Sequence, residues 1–259
     1  MITLNKEDTS FKDIDVKNSI EKWKNNFDLE YGGTKGDIKF PMPNALEFLL
    51  RYSYQFEDAS IKTHLNTSLT KMAFGGINDQ INGGFSRYST DKKWHIPHFE
   101  KMLYDNAQLV SLYSKAYQES ENELYKSVVL ETLGFVEKEL TATDGAFYSS
   151  IDADSKDGEN ELEEGAYYYW TKKELQNLIK EEYTLFEDYY NINDFGLWEK
   201  DRYVFIRNAS NEVFSKKHNF NLNAVQLFRT STNQNALNEL TVTFGYAYTF
   251  DIGKPKKKK

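Results

Sequence analysis

The chain has 259 residues and a formal net charge of −8, from 32 Lys and Arg against 40 Asp and Glu. Its 39% hydrophobic and 28% charged residues are typical of a folded globular protein and exclude a disordered chain. An acidic protein lacks the basic surface that nucleic-acid phosphates require, and no apolar run reaches the roughly 18–20 residues of a transmembrane helix. We therefore expect neither a nucleic acid nor a membrane as a partner. Because the chain has no cysteine, disulfides, thiolate metal sites and Cys nucleophiles are also excluded.

The two ends of the chain support further expectations. Residues 1–10 are polar and lack the apolar stretch of a secretory signal, which together with the absence of cysteine predicts a cytoplasmic protein. The Lys-rich tail, residues 253–259, is predicted to be disordered, with a membrane or nucleic-acid contact as the minor alternative. Aromatic residues make up 15% of the chain, and rings this frequent suit either a bulky core or a cavity on which flat ligands stack.

Hydrophobic residues recur at three- and four-residue steps in five segments of the first 140 residues, which is the period of a helix. The predicted helices are marked by Val16 to Phe27, Leu46 to Phe56, Ile61 to Ala73, residues 98–119, and Tyr125 to Leu140. Similar glycine turns at residues 31–33, 82–85 and 144–147 follow helices at intervals of roughly 50–60 residues, the length of a helical hairpin with its loops. This repeat predicts a solenoid or a closed ring of hairpins.

The pattern changes between residues 145 and 207. Two short aromatic runs, 147–150 and 167–170, flank an acidic loop, and we predict that they form a β-hairpin. Thr171 and Glu174 form a capping-box pattern that predicts a short helix, and residues 203–207 are a further candidate strand. Beyond residue 208 the sequence pattern is too weak to assign elements.

The segment Gly83 to Asp105 has the highest density of reactive side chains. With Pro97 in the first turn of the fourth helix, His98, Lys101 and Asp105 would share one helix face, where they could provide a general acid and base. The alternative is a Lys101–Asp105 helical ion pair with His98 as a packing residue. The upstream side chains either line the same site or pack the insert; these are Arg87, Tyr88, Asp91 and Trp94.

The second polar segment, Asp152 to Glu164, has acidic spacing similar to a calcium loop. It departs from that pattern because Lys156 and Asp157 occupy the fifth and sixth positions, where a ligand and a glycine are required. Asp152 and Asp154 either project into a sugar-binding cavity or belong to a solvated hairpin tip. Phosphate-binding loops, nucleophile elbows and dinucleotide fingerprints are missing from the sequence, and the spacing of His95 and His98 is unspecific for a metal. We expect no metal or other cofactor.

Three motifs carry a resemblance to a known family: KFPMPNALEFLLR, GGFSRYSTDKKWHIPHFEKMLYDNAQL and DGAFYSSIDADS with EEGAYYYWT. They resemble the spermatogenesis-associated, thioredoxin-domain protein family over about residues 13–207. The resemblance implies an all-α fold, an (α/α)6 toroid of helical hairpins similar to N-acylglucosamine 2-epimerases and six-hairpin glycosidases, with short β-hairpin inserts. The family's thioredoxin-like domain and its later hairpins do not match this sequence. We therefore expect residues 1–252 to form a single incomplete toroid domain, as in a fragment or a truncated gene product.

The resemblance also implies a site and an activity. The implied catalytic residues are His98, Asp105, Asp152 and Asp154. The implied substrate contacts are Arg87, Tyr88, Trp94, Glu100, Lys101 and Tyr148. The expected ligand is a small-molecule sugar, and the expected activity is that of a sugar epimerase, an isomerase or a glycosidase. The alternatives are a non-catalytic helical scaffold or binding module of a thioredoxin-fused protein, and a redox partner domain. An open half-ring would expose an apolar edge, so self-association into a homo-oligomer is also expected.

Overall fold

A computed structural model describes five parts of the chain: residues 13–156, 161–218, 225–229, 240–244 and 248–249. Two predictions concern residues outside these parts: that the polar segment 1–10 is not a secretory signal, and that the Lys-rich tail is disordered. None of the described helices is long and apolar enough to cross a membrane.

Five helices make up the first half of the protein. They are α1 (Asp13–Lys24), α2 (Pro43–Phe56), α3 (Ala59–Phe74), α4 (Leu103–Ser120) and α5 (Glu123–Glu139). Local chemistry explains their ends: α2 starts with a proline, Asp58 caps α3 by accepting from the backbone N–H groups of Ser60 and Ile61, and Asn122 caps α5. The predicted positions of α1, α2, α3 and α5 are confirmed to within a few residues.

Four of these helices, α2 to α5, form two hairpins that pack side by side. α2 and α3 are joined by two residues, as are α4 and α5, and in each link a residue takes left-handed backbone angles: Glu57 (φ 51°) and Glu121 (φ 53°). α2 also packs against α4, and α3 packs against α5, so the helices lie in two layers. Fully buried side chains fill the space between the layers, among them Leu49, Leu65, Leu69, Leu109 and Tyr113. Stacked hairpins in two layers, with short β-inserts, confirm the predicted fold class.

The predicted start of the fourth helix is wrong. Residues 97–102 are extended, and Lys101–Met102 forms strand β1, which pairs antiparallel with β2 (Ser150–Ile151). One physical reason is that Ile96 precedes Pro97, and a residue before proline avoids helical backbone angles. The other is that the backbone here bonds to residues 86–90 of the chain: the His98 N–H donates to the Tyr88 carbonyl. His98 and Lys101 therefore do not share a helix face with Asp105.

The predicted hairpin between residues 147–150 and 167–170 is also wrong. The acidic segment turns back on itself instead, since β3 (Asp154–Lys156) pairs with β4 (Leu162–Glu164). Its tip, including Asp157, lies outside the described residues. The second aromatic run contains β5 (Tyr169–Thr171), which pairs with β7 (Arg202–Val204), and β7 pairs in turn with β6 (Leu197–Glu199). Alternating side chains identify strands but do not reveal which distant strand each one pairs with.

The remaining elements build a second, smaller core. α6 (Lys172–Ile179) begins with the predicted capping box, which is confirmed by reciprocal hydrogen bonds between Thr171 and Glu174. A short 3-10 turn, Lys180–Glu182, leads into α7 (Tyr183–Tyr190), and α8 (Asn211–His218) follows β7. The aromatic side chains of this core include Trp170, Phe186, Tyr190 and Phe205. Beyond it, β8 (Val225–Arg229), β9 (Leu240–Phe244) and β10 (Tyr248–Thr249) form an antiparallel sheet in the order β10-β9-β8.

A buried histidine makes the main core sensitive to acid. The His64 ring on α3 is stacked on Phe27 with 3.8 Å between the ring centroids, and its Nδ1 atom has no hydrogen-bond partner. Burial disfavours the charged imidazolium and lowers the pKa of His64 from 6.5 to about 4.

We expect the free energy of unfolding to fall as the pH decreases from 6.5 towards 4. In this window the unfolded chain binds a proton at residue 64 that the folded chain excludes, and the shift corresponds to about 3 kcal/mol. Urea denaturation of His64→Phe across this pH range should show a shallower slope than wild type. His95, another buried histidine with a lowered pKa, keeps its own contribution in both proteins. An unchanged slope in the variant would show that His64 is not the titrating group.

Candidate functional site

The candidate site is built on an extended insert between α3 and α4. Two segments, residues 86–90 and 96–100, run antiparallel: the Arg87 N–H donates to the Glu100 carbonyl, and the Thr90 N–H donates to the Ile96 carbonyl. The Asp91 carboxylate closes the turn between them by accepting from the backbone N–H groups of Lys93 and Ile96. Asp91 therefore shapes the insert, in agreement with the packing alternative for this residue.

His98 is held on this insert by a ring and a carboxylate. Its imidazole is stacked on Tyr88 at 4.9 Å between centroids, and its Nδ1 lies 3.0 Å from Oε1 of Glu164. In the neutral imidazole, a carboxylate partner favours the tautomer with the hydrogen on Nδ1, which leaves Nε2 as the basic nitrogen. The side chain is 34% exposed, so His98 is oriented by the protein and still accessible to a ligand.

Asp105 lies in the first turn of α4, and its carboxyl group is only partly hydrated. Oδ2 is buried and has no hydrogen-bond partner. Burial raises the pKa of Asp105; Arg87 opposes this rise, and Glu100 adds to it. Arg87 and Glu100 themselves form an ion pair, with 3.5 Å between Nη1 and Oε2. The structure thus brings Arg87, Glu100 and Asp105 into one electrostatic cluster, and Glu100 lies two positions after His98 on the same extended segment.

Lys101 does not belong to that cluster. Its side chain is 1% exposed; its Nζ lies 2.9 Å from Oδ2 of Asp79 and donates to the Gly83 carbonyl. The ammonium also lies over the rings of Phe135 and Tyr168, at 4.5 and 4.9 Å from their centroids. Both parts of the prediction for Lys101, the ion pair with Asp105 and the substrate contact, are corrected, because β1 turns this side chain into the interior.

Trp94 is also a structural residue. It is fully buried, and its indole Nε1–H donates to the Tyr31 carbonyl at 2.8 Å. A Cβ at Gly33 would come within 2.8 Å of the indole, so only glycine allows this close approach. The expected substrate contact is corrected, because the ring has no surface left for a ligand and instead fixes the insert to the loop after α1.

The acidic residues of the next insert are exposed, and one of them is connected to His98 through strand pairing. Asp152 and Asp154 are both exposed, and the Asp152 carboxylate accepts from the Asp154 N–H. Asp154 is paired across the β3–β4 ladder with Glu164, the residue that contacts His98. Tyr148 is 57% exposed, just before β2. Among the described residues, no group of three or more His, Asp or Glu side chains is arranged to hold a metal ion.

Sequence reasoning missed two residues of the site. Glu164 was recognised only as the end of an acidic loop, and its contact with His98 depends on pairing across 66 positions. Phe40 packs on Tyr88 with 4.9 Å between centroids and remains 48% exposed. The sequence contains a pattern that could have indicated Phe40: the apolar residues Ile38, Phe40 and Met42 occupy alternate positions, as on one face of a strand. In the structure these three side chains are exposed, and the intervening Lys39 and Pro41 are buried.

Two solved structures that are similar to part of this chain are cellobiose 2-epimerases. The cellobiose 2-epimerase of Bacillus thermoamylovorans B4167 is 14% identical, with a TM-score of 0.46, and the match covers 54% of this chain and 40% of that chain. The cellobiose 2-epimerase of Spirochaeta thermophila DSM 6192 is 15% identical with the same TM-score, covering 51% of this chain and 36% of that one. These identities and scores are too low to assign an activity to this chain.

Sequence relatives are closer, although they are much longer proteins. No family model matches the chain. Human spermatogenesis-associated protein 20 is 47% identical over 160 residues, which cover 60% of this chain and 20% of the human protein. The uncharacterized protein B0495.5 of Caenorhabditis elegans is 35% identical over 205 residues, covering 70% of this chain and 28% of that protein. The chain spans about a fifth of the length of the mammalian relatives, and its resemblance to the spermatogenesis-associated, thioredoxin-domain protein family is confirmed.

Proposed function

We propose that the chain binds a sugar on the outer surface of the 86–100 insert and performs acid–base chemistry on it, as a sugar epimerase, isomerase or glycosidase does. The observation that carries this proposal is that two titratable side chains with different surroundings, His98 and Asp105, lie on the insert and in the first turn of α4. Burial raises the pKa of Asp105, which is the direction that a general acid needs, while Glu164 holds Nδ1 of His98 and leaves Nε2 for a substrate. General acid–base catalysis commonly uses two titratable groups whose environments shift their pKa values apart, so that one donates a proton and the other accepts one.

In an isomerisation, His98 would remove a proton from the carbon next to the sugar carbonyl and return it to the former carbonyl carbon. In an epimerisation, His98 would remove that proton, and a second acid–base group on the opposite face would return a proton to the same carbon. Asp105 would donate a hydrogen bond or a proton to the oxygen on which negative charge develops. Arg87 is suited to stabilise the same oxygen, since it is exposed and lies close enough to Asp105 to affect its pKa. In a hydrolysis, Asp105 would protonate the leaving oxygen, and a second carboxylate, Glu100 or Asp154, would act on the other side of the ring.

The surface around these groups has the composition that a sugar requires. Phe40, Tyr104 and Tyr148 are each about half exposed, and Tyr88 lies between Phe40 and His98. Aromatic faces stack on the apolar faces of a sugar ring, and the charged groups bind its hydroxyls. Arg87 and Glu100 supply such donors and acceptors at the same place.

A non-catalytic scaffold is the second candidate function, and one observation favours it. Two polar or aromatic residues of the central motif, Trp94 and Lys101, are buried and hold neighbouring segments together. In this alternative His98, Glu100 and Asp105 would also stabilise the fold. Any catalytic activity of the longer relatives would then depend on segments of those proteins that lie outside the match with this chain.

Asp105→Asn is expected to lower sugar turnover by at least about a hundredfold, since a general acid contributes roughly 10²–10⁴ to the rate. Its stability should be unchanged or higher, because the variant removes the negative charge that burial of this carboxyl group disfavours. Turnover is followed by proton NMR of the anomeric signals of glucose, mannose, N-acetylglucosamine and cellobiose. Glu181→Gln, at an exposed carboxylate far along the chain, is the matched control. Full activity in Asp105→Asn would rule out the acid role.

His98→Gln is expected to keep the melting temperature of the free protein and to lose the increase that a bound sugar produces. A sugar at about a hundred times its Kd should stabilise the wild-type protein by about 2.7 kcal/mol. Thermal melts with the same four sugars at millimolar concentration measure both effects. If no sugar shifts the wild-type melt, the sugar-binding proposal fails and the scaffold is favoured.

Lys101→Met is expected to destabilise the fold by about 3–5 kcal/mol, because it leaves Asp79 buried without its charged partner. The double variant Lys101→Met with Asp79→Asn should recover a large part of that loss, since neither charge remains. Urea denaturation of the two variants and of wild type provides the comparison. Equal stability of Lys101→Met and wild type would contradict the structural role assigned to this lysine.

A further inference from the structure

Helix α5 carries an unusual line of exposed residues. Glu123, Lys126, Leu130, Leu133 and Glu137 are separated alternately by three and four positions, and all five are exposed. This spacing places them in one stripe along the helix, as at the contact positions of a coiled coil. The two central residues are leucines, 61% and 48% exposed. The opposite face of α5 packs into the main core through Tyr125, Val128, Thr132 and Phe135.

The stripe is accessible to a second helix. A Cβ placed at Gly134, beside Leu133, would meet no atom within 4 Å. A glycine on an exposed helix face weakens the helix by about 1 kcal/mol relative to alanine, and it also lets another backbone approach closely. The only described ion pair within the stripe joins Lys126 to Glu123 on the same helix, with 3.1 Å between Nζ and Oε2.

The order of charges in the stripe matches a second copy of the same helix running in the opposite direction. A two-fold axis between Glu131 and Thr132 would place Leu130 against Leu133 of the partner subunit. The same axis would place Lys126 against the partner subunit's Glu137, and Glu137 against the partner subunit's Lys126. A parallel pairing in register would instead oppose like charges at both ends.

We propose that α5 is the contact surface of a symmetric, antiparallel dimer of this chain. A symmetric dimer buries the same patch on both copies, so each contact occurs twice, and the stripe is self-complementary in this sense. Two leucines per copy form a small contact, so the dimer is weak and dissociates on dilution. The surface lies on the helix face that points away from the core, and the proposal is independent of the proposed sugar site.

Sedimentation velocity of the full chain, from micromolar to millimolar concentration, tests the proposal. We expect the average mass to rise with concentration from monomer to dimer. Leu130→Lys should abolish this rise, while Leu29→Lys, at a leucine that is 77% exposed outside α5, should leave it unchanged. Thermal melts check that both variants are folded, which is expected because neither leucine is buried.

A charge swap tests the antiparallel direction. Lys126→Glu opposes like charges twice in the dimer and should weaken association by about tenfold or more. The double variant Lys126→Glu with Glu137→Lys restores opposite charges and should recover most of the affinity. A wild-type protein that stays monomeric at all concentrations would overturn the proposal. The stripe would then be assigned to packing against a further hairpin in a longer chain. A dimer that tolerates Leu130→Lys, or that is not rescued by the swap, would overturn it as well.

Discussion

The buried ion pair between Lys101 and Asp79 is the interaction on which the arrangement of the helical half depends. It joins β1, just before α4, to the loop after α3, and the same ammonium donates to Gly83 and lies over Phe135 of α5. A buried cation is costly unless its charge is paired and its protons are bonded. These groups can satisfy Lys101 only when α3, β1 and α5 hold their observed positions, so the pair specifies how the hairpins and the insert fit together.

The position of Lys101 also determines which side chains the insert presents to solvent. Successive residues of an extended segment point to opposite sides, and here Pro97, Phe99 and Lys101 are buried while His98 and Glu100 are partly exposed. The buried lysine thereby places the imidazole and the carboxylate on the outer face. The site and the core are two sides of one short segment, which explains why a single motif contains both structural and candidate catalytic residues.

The candidate site is assembled from elements that are far apart in the chain. Arg87 and His98 come from the insert, Asp105 from the first turn of α4, and Glu164 from the strand β4. The electrostatics follow from this convergence: burial raises the pKa of Asp105, Arg87 opposes the rise, and the nearby Glu100 adds to it. The α5 stripe faces away from the core, so catalysis and association would use separate parts of the same helical scaffold.

The sequence by itself determined the local structure. Three features could be predicted from the sequence: the helices α1, α2, α3 and α5, the capping box at Thr171, and the family resemblance. Each of them depends on residues a few positions apart or on a contiguous motif. The tertiary structure decided which residues meet. It placed residues 97–102 in an extended segment, paired β2 with β1 instead of β5, buried Lys101 and Trp94, and brought Glu164 to His98. Strand pairing and burial depend on contacts between distant segments, and the spacing of residues along the chain does not encode them.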